Sequence, residues 1–177
     1  MIDYKLHEEI KLLTQNCYNP KTNFLPNDWE LINFIPNTSS GFKAGIYKKD
    51  DYIVIIYSGT DFPSEGGNIS ERNELLKDLK TDEELYSGKM PNQSDEAYYL
   101  YTIIKAKYPD SRIILGGHSL GGTLAQIVAF RSGAEAVTFN AYALKKEELD
   151  NAQICQPLCF GWQFACQLCS KISLTGQ

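Results

Sequence analysis

A serine flanked by glycines is the part of this sequence whose residue types and spacing most directly predict chemistry. The stretch reads Gly117-His118-Ser119-Leu120-Gly121, which has the G-x-S-x-G spacing of a nucleophile elbow. So tight a turn leaves no room for side chains two residues either side of the serine, and Gly117 and Gly121 lack them. The Ser119 hydroxyl would then project as a nucleophile, and the backbone N–H of Leu120 would donate to an oxyanion.

The residues around this serine predict the strand and the helix that position it. Residues 113–115 are apolar and begin with β-branched side chains, which is typical of a buried parallel strand. After the turn, Leu124, Ile127 and Val128 recur at helical spacing. The N-terminus of that helix would add partial positive charge beside the serine and so favour an anion there.

An earlier strand leads into a turn that would complete the oxyanion site. Residues 42–46 alternate between apolar and polar positions, and residues 52–57 form a nearly continuous apolar run, so we predict a hairpin. Gly59 and Thr60 follow directly, and the Thr60 backbone N–H would meet that of Leu120 over one anionic oxygen.

The rest of the chain alternates between helical and strand patterns. Residues 21–41 are predicted to be turn-rich, residues 62–74 to form a mobile loop in the position of a lid, and residues 136–139 to form a buried strand. Amphipathic spacing predicts further helices at residues 3–17, 75–85 and 92–107. This alternation indicates an α/β fold with a mainly parallel sheet and flanking helices.

Composition narrows the class of protein. The 177 residues, 43% hydrophobic and 22% charged, predict one soluble globular domain, and the net charge of −5 argues against a nucleic-acid partner. The start of the sequence has no apolar signal region, and no run is long and apolar enough to cross a membrane. The expected location is therefore the cytoplasm, with signal-independent export left open. No cofactor is expected.

Four stretches of the sequence resemble, in order, the class 3 lipase family of α/β-hydrolases. They are YIVIIYSGTD at 52–61, DLKTDEEL at 78–85, GGHSLGGTLAQIVAF at 116–130 and VTFNA at 137–141. The third matches the family almost residue for residue, and the order of the four is more specific than any one of them. Ser58 replaces the arginine that is usual before the Gly-Thr turn.

The resemblance implies an α/β-hydrolase-like domain over residues 1–150 and a serine hydrolase of acyl esters, such as acylglycerols or phospholipids. Ser119 would be the nucleophile, and Thr60 and Leu120 would form the oxyanion hole. Asp78 and Asp82 match family positions and are interpreted as structural.

The general base is the unresolved part of this prediction. A serine nucleophile needs a histidine to take its proton, and in α/β-hydrolases the acid and the histidine follow the serine. This chain has two histidines, His7 and His118, and neither follows Ser119. His118 adjoins the serine and is not expected to reach it. The open hypotheses are a base supplied by His7 or by a second chain, and a catalytically silent fold that binds a lipid or a protein.

Residues 151–177 form a tail of different composition, uncharged from Ala152 to Ser170. It contains four cysteines, Cys155, Cys159, Cys166 and Cys169. In a first interpretation the tail replaces the last third of the family fold, so that the C-terminal strands are missing and an open sheet edge favours self-association. In a second, the cysteines bind zinc. In a third, they form an apolar helical stripe that docks on the sheet, on a partner or at a membrane surface.

Overall fold

One six-stranded sheet organises the fold in a computed structural model that describes residues 4–20, 25–59, 93–142 and 158–159. The strands are β1 (Glu30–Ile35), β2 (Ala44–Lys49), β3 (Tyr52–Tyr57), β4 (Arg112–His118), β5 (Glu135–Phe139) and β6 (Leu158–Cys159). They lie side by side in chain order. The pairs from β1 to β3 are antiparallel, and the three pairs from β3 to β6 are parallel. The predicted α/β fold with a mainly parallel sheet is confirmed.

The register of the central strands brings the carboxyl ends of β3 and β4 to the same edge of the sheet. β2 and β3 pair from Lys49 opposite Tyr52 to Ala44 opposite Tyr57, which confirms the predicted hairpin. Tyr57 then lies beside Gly117 in the parallel pair of β3 and β4. The turn that follows β3 and the turn that follows β4 are therefore neighbours.

Helices cover both faces of the sheet. Helix α1 (Tyr4–Tyr18) packs on one face, and helices α2 (Gln93–Lys107) and α3 (Leu120–Ser132) pack on the other. The sheet therefore has a hydrophobic core on each face, and alternate residues of β3 pack into one or the other. Ile53 and Ile55 face α2 and α3, and Val54 and Ile56 face α1. Burial on both faces explains the continuous apolar run of this strand. None of the described helices is long and apolar enough to cross a bilayer.

Strand β1 lies within residues 21–41, which were predicted to be turn-rich and for which no strand was predicted. Every residue of this edge strand keeps some exposure, so its sequence does not alternate cleanly. An irregularity between Leu31 and Asn33 also shifts its register against β2. Because of both features, the sequence of β1 lacks the alternation of apolar and polar residues by which a strand is predicted.

The two described residues of the tail, 158 and 159, join the sheet. The backbone of β6 pairs in parallel with β5, Leu158 opposite Val137 and Cys159 opposite Thr138. Cys159 is therefore in a strand, which corrects the helical interpretation of the tail at that position. Cys155, Cys166 and Cys169 lie outside the described residues, as do the predicted lid, the helix at 75–85, Asp78 and Asp82.

Candidate active site

Ser119 occupies the single residue between strand β4 and helix α3, in a strained conformation. Its backbone angles are φ 55° and ψ −127°, which belong to neither a helix nor a strand. A side chain in such a region costs of order 1–3 kcal/mol, so the surrounding structure must hold it. The Ser119 N–H donates to the carbonyl oxygen of Phe139 at 3.0 Å, which ties the turn to the end of β5. The serine side chain makes no capping hydrogen bond to α3 and is half-buried.

Two glycines let backbone pack against backbone around this serine. A Cβ on Gly117 would lie 2.4 Å from the carbonyl carbon and oxygen of Gly121. A Cβ on Gly121 would lie 2.1 Å from the carbonyl oxygen of Tyr57, at the end of β3. No side-chain rotation can relieve contacts of this kind, because both partners are main chain. The glycines are therefore required for the turn and for its approach to β3.

The predicted oxyanion donors lie next to the serine as far as the structure describes them. Leu120 is the first residue of α3, where backbone N–H groups have no acceptor within the helix and carry partial positive charge. Gly59 is buried beside the elbow, and a Cβ added to it would lie 3.4 Å from the Cβ of Ser119. Thr60, the other predicted donor, is outside the described residues, one position beyond Gly59.

Tyr18, at the end of α1, contacts both turns. Its hydroxyl accepts a hydrogen bond from the Gly59 N–H at 3.2 Å and lies 3.2 Å from Nδ1 of His118. The Tyr18 and His118 rings meet edge to face, with centroids 6.2 Å apart. The ammonium of Lys43, a buried lysine, lies 5.6 Å from the centroid of the Tyr18 ring. Sequence reasoning missed Tyr18 and Lys43, because nothing local marks either residue as part of a site.

His7, the predicted base, lies in the first half of α1. It precedes Tyr18 by eleven positions in the same helix, which is about 16 Å along the axis at the rise of an α-helix. The described geometry does not bring His7 to Ser119. Its role as base stays a prediction that would require α1 to move.

The segment after β5 packs against the start of α3 and includes an exposed aromatic residue, Tyr142. Asn140 adopts φ 49°, a left-handed conformation that asparagine tolerates better than most residues. The Thr123 hydroxyl accepts from the Tyr142 N–H at 3.0 Å and lies 3.5 Å from the Tyr142 carbonyl oxygen. The Tyr142 side chain is 48% exposed.

Metal chemistry finds no support among the described residues, where no group of three or more His, Cys, Asp or Glu side chains could hold an ion. The zinc interpretation of the tail rests on cysteines of which only the backbone of Cys159 is described. It stays a prediction.

A family model for phospholipase-like proteins, described as the Tle-like phospholipase domain, matches residues 23–157. The chain belongs to this family. The match covers the sheet and the elbow together and extends from before β1 to the residue before β6. The elbow of this Tle-like domain therefore lies in a phospholipase-like framework.

Individual relatives agree with the family. The Tle-like domain is 31% identical over 121 residues to the extracellular phospholipase A1 of Serratia liquefaciens, a match that covers 66% of this chain and 34% of that protein. Its fold resembles the lipase in the Rhizomucor miehei lipase propeptide complex at a TM-score of 0.51 and 14% identity, over 80% of this chain and 54% of that one. Its fold also resembles Lip2 lipase of Yarrowia lipolytica, at a TM-score of 0.51 and 17% identity, over 84% of this chain and 61% of that one.

These likenesses confirm the resemblance to lipases and the α/β-hydrolase-like fold. The chain spans about a third of the length of the Serratia relative and little more than half of the two lipases.

Proposed function

We propose that this Tle-like domain hydrolyses acyl esters of glycerophospholipids through an acyl-enzyme on Ser119. The observation that carries the proposal is the strained Ser119, held between β4 and α3 with its hydroxyl free of any capping role. The fold holds Ser119 in a strained backbone conformation directly before a helix N-terminus. Acyl transfer requires a nucleophile placed in this way beside groups that stabilise an oxyanion. The phospholipase family and the name of the Serratia relative support a phospholipid substrate.

The proposed reaction has two steps. In the first, Ser119 Oγ attacks the ester carbonyl carbon, a base takes the hydroxyl proton, and the carbonyl oxygen becomes an oxyanion. The N–H groups of Leu120 and Thr60 stabilise that charge. The C–O bond to the lipid alcohol then breaks, and the alkoxide leaves with the proton from the base. In the second step a water molecule attacks the acyl-enzyme, which releases the fatty acid and restores the serine.

The base in this mechanism is the part that the described residues do not supply. His118 is turned to Tyr18 through Nδ1, and His7 lies far along α1. We propose that a histidine from a second chain, or His7 after a movement of α1, takes the proton. His7→Ala discriminates between these sources, because activity that survives the substitution excludes His7 as the base.

One observation favours a second candidate, a catalytically silent fold that binds lipid or protein. The sequence has no histidine after Ser119, and the described part of the chain brings no other proton acceptor of the expected kind to its hydroxyl. The elbow would then survive as a structural joint between β4 and α3.

A release assay on lipid vesicles tests the proposal. The protein is incubated with vesicles of phosphatidylcholine and phosphatidylglycerol, and free fatty acid is measured beside Ser119→Ala and His7→Ala. We expect release by the wild type and none by Ser119→Ala. Vesicle flotation of the same samples separates the two candidates, since binding without release supports the silent fold. Equal release by the wild type and Ser119→Ala would overturn the proposed mechanism.

A further inference from the structure

We infer that Tyr18 is a positioning residue that fixes the turn after β3 against the elbow through its hydroxyl group. The phenol oxygen accepts from the Gly59 N–H at 3.2 Å and lies 3.2 Å from Nδ1 of His118. Gly59 precedes the predicted oxyanion donor, and His118 precedes the predicted nucleophile. One side chain therefore bridges the two turns whose relative position sets the geometry of the site.

One of these two contacts has a fixed direction. A backbone N–H only donates, so the Tyr18 oxygen accepts from Gly59. The phenol group also carries a second lone pair and a proton, so it can meet Nδ1 of His118 as acceptor or as donor. The hydroxyl of Tyr18 therefore contacts the turn after β3 and the histidine that adjoins the serine at the same time.

The surroundings hold Tyr18 in place. It is the last residue of α1, whose buried residues Leu13 and Cys17 pack against the sheet just before it. The Lys43 ammonium lies over the Tyr18 ring, and the Lys43 carbonyl oxygen accepts from the Ser58 N–H at 2.9 Å. The cation that contacts the ring is therefore tied to the strand end just before Gly59.

Gly59 itself is adapted to this contact. A Cβ at this position would lie 2.5 Å from the Tyr18 hydroxyl oxygen and 2.5 Å from the His118 carbonyl oxygen. Any other residue would push the tyrosine and the elbow away from the β3 end. Since the same hypothetical atom lies 3.4 Å from Ser119 Cβ, the tyrosine hydroxyl is within about 6 Å of that carbon.

The expected consequence is a loss of rate rather than of substrate affinity. Tyr18→Phe keeps the ring and its packing and removes the hydroxyl, so the Gly59 N–H loses its acceptor and Nδ1 of His118 loses its hydrogen-bond partner. Errors of about 1 Å in a catalytic group lower rates by up to about a hundredfold, and loss of a single supporting hydrogen bond corresponds to about tenfold. We expect kcat to fall about tenfold while KM changes less than twofold.

Tyr47→Phe is the matched control, because it also removes a phenol hydroxyl that joins α1 to the sheet, and that hydroxyl donates to Asn16 rather than contacting Gly59 or His118 as the Tyr18 hydroxyl does. Both variants are compared with the wild type for hydrolysis of a soluble p-nitrophenyl ester and for thermal stability. We expect the two to lose similar stability and only Tyr18→Phe to lose kcat. Equal kcat values for the two variants would overturn the inference.

The inference rests on the proposed function for its kinetic part, and a spectroscopic readout tests it without turnover. In ¹⁵N-labelled protein, Tyr18→Phe should shift the Gly59 amide and the His118 ring nitrogens, and Tyr47→Phe should leave them unmoved. The wild type should also show a nuclear Overhauser effect between the Gly59 amide proton and the Tyr18 ring. If no ester is hydrolysed but these signals are seen, the proposed function fails and the link stands. Their absence refutes the link even in an active enzyme.

Discussion

Replacing Gly121 by alanine tests whether the elbow is locked against β3 by main-chain contact. The new Cβ would lie 2.1 Å from the Tyr57 carbonyl oxygen and 2.7 Å from the carbonyl carbons of Tyr57 and Ser58. The neighbours are backbone atoms at the end of β3, so no side chain can turn away. Helix α3 and β3 would have to separate by about 1 Å or more to restore ordinary contact.

The magnitude follows from two opposing effects. Overpacking of a well-packed interior costs about 1–3 kcal/mol, and contact with backbone alone places this site near the upper end. Alanine in a helix is favoured over glycine by about 1 kcal/mol, which offsets part of that cost. We expect Gly121→Ala to lower the free energy of unfolding by about 2 kcal/mol, which is about 4–8 °C in Tm for a chain of this size.

Gly122→Ala is the matched control in the same helical turn. Its Cβ would lie 2.9 Å from the Ala141 Cβ and 3.0 Å from the Gly117 carbonyl oxygen, so its nearest neighbour belongs to the segment after β5, which can shift. The gain in helix propensity should nearly cancel this smaller cost. Urea unfolding followed by circular dichroism measures both variants. A Gly121→Ala protein as stable as Gly122→Ala, within about 0.5 kcal/mol, would refute the described contact.

Three further predictions concern strain, a side-chain clamp and pH. Ser119→Gly should raise the free energy of unfolding by about 1 kcal/mol relative to Ser119→Ala, because glycine adopts φ 55° without strain; equal values in urea unfolding would contradict the strain. Thr123→Val should cost about 1 kcal/mol, since the Tyr142 N–H loses its acceptor, and faster amide exchange at Tyr142 should accompany the loss. Desolvation by burial is the main reason why the pKa values of Tyr57 and Tyr47 are raised above the ordinary tyrosine value. Both stay protonated when folded, so stability present below pH about 10 should be lost above it by about 1.4 kcal/mol per pH unit for each tyrosine. Tyr57→Phe should remove about half of that slope, and an unchanged slope would show that Tyr57 ionises in the folded protein.

Local patterns in the sequence were enough for most of the described elements. Helices α1 and α2, the β2–β3 hairpin, β4, α3 and β5 all follow from periodicity, although β2 and β4 each end three residues beyond their predicted bounds. Each contributes a clear apolar face, and burial of that face decides the structure. Strand β1 was missed because an edge strand with a register irregularity has no such face.

The candidate site was predictable where chemistry is encoded by neighbouring residues and not where it is assembled by the fold. The G-x-S-x-G spacing placed Ser119 between a strand and a helix because a sharp turn needs glycines locally. Tyr18 meets Gly59 across 41 positions and His118 across 100, and no local pattern announces such contacts. The burial of Lys43 could not be predicted from its neighbours in the sequence either, since its surroundings come from the packing of α1 on the sheet.

Covalent labelling with a fluorophosphonate tests the central claim that Ser119 is an activated nucleophile. The folded protein is incubated with the probe and read by intact mass, beside Ser119→Ala as the control. The account predicts one adduct per chain in the wild type and none in Ser119→Ala. A folded wild type that takes no label, or label that persists in Ser119→Ala, would contradict it.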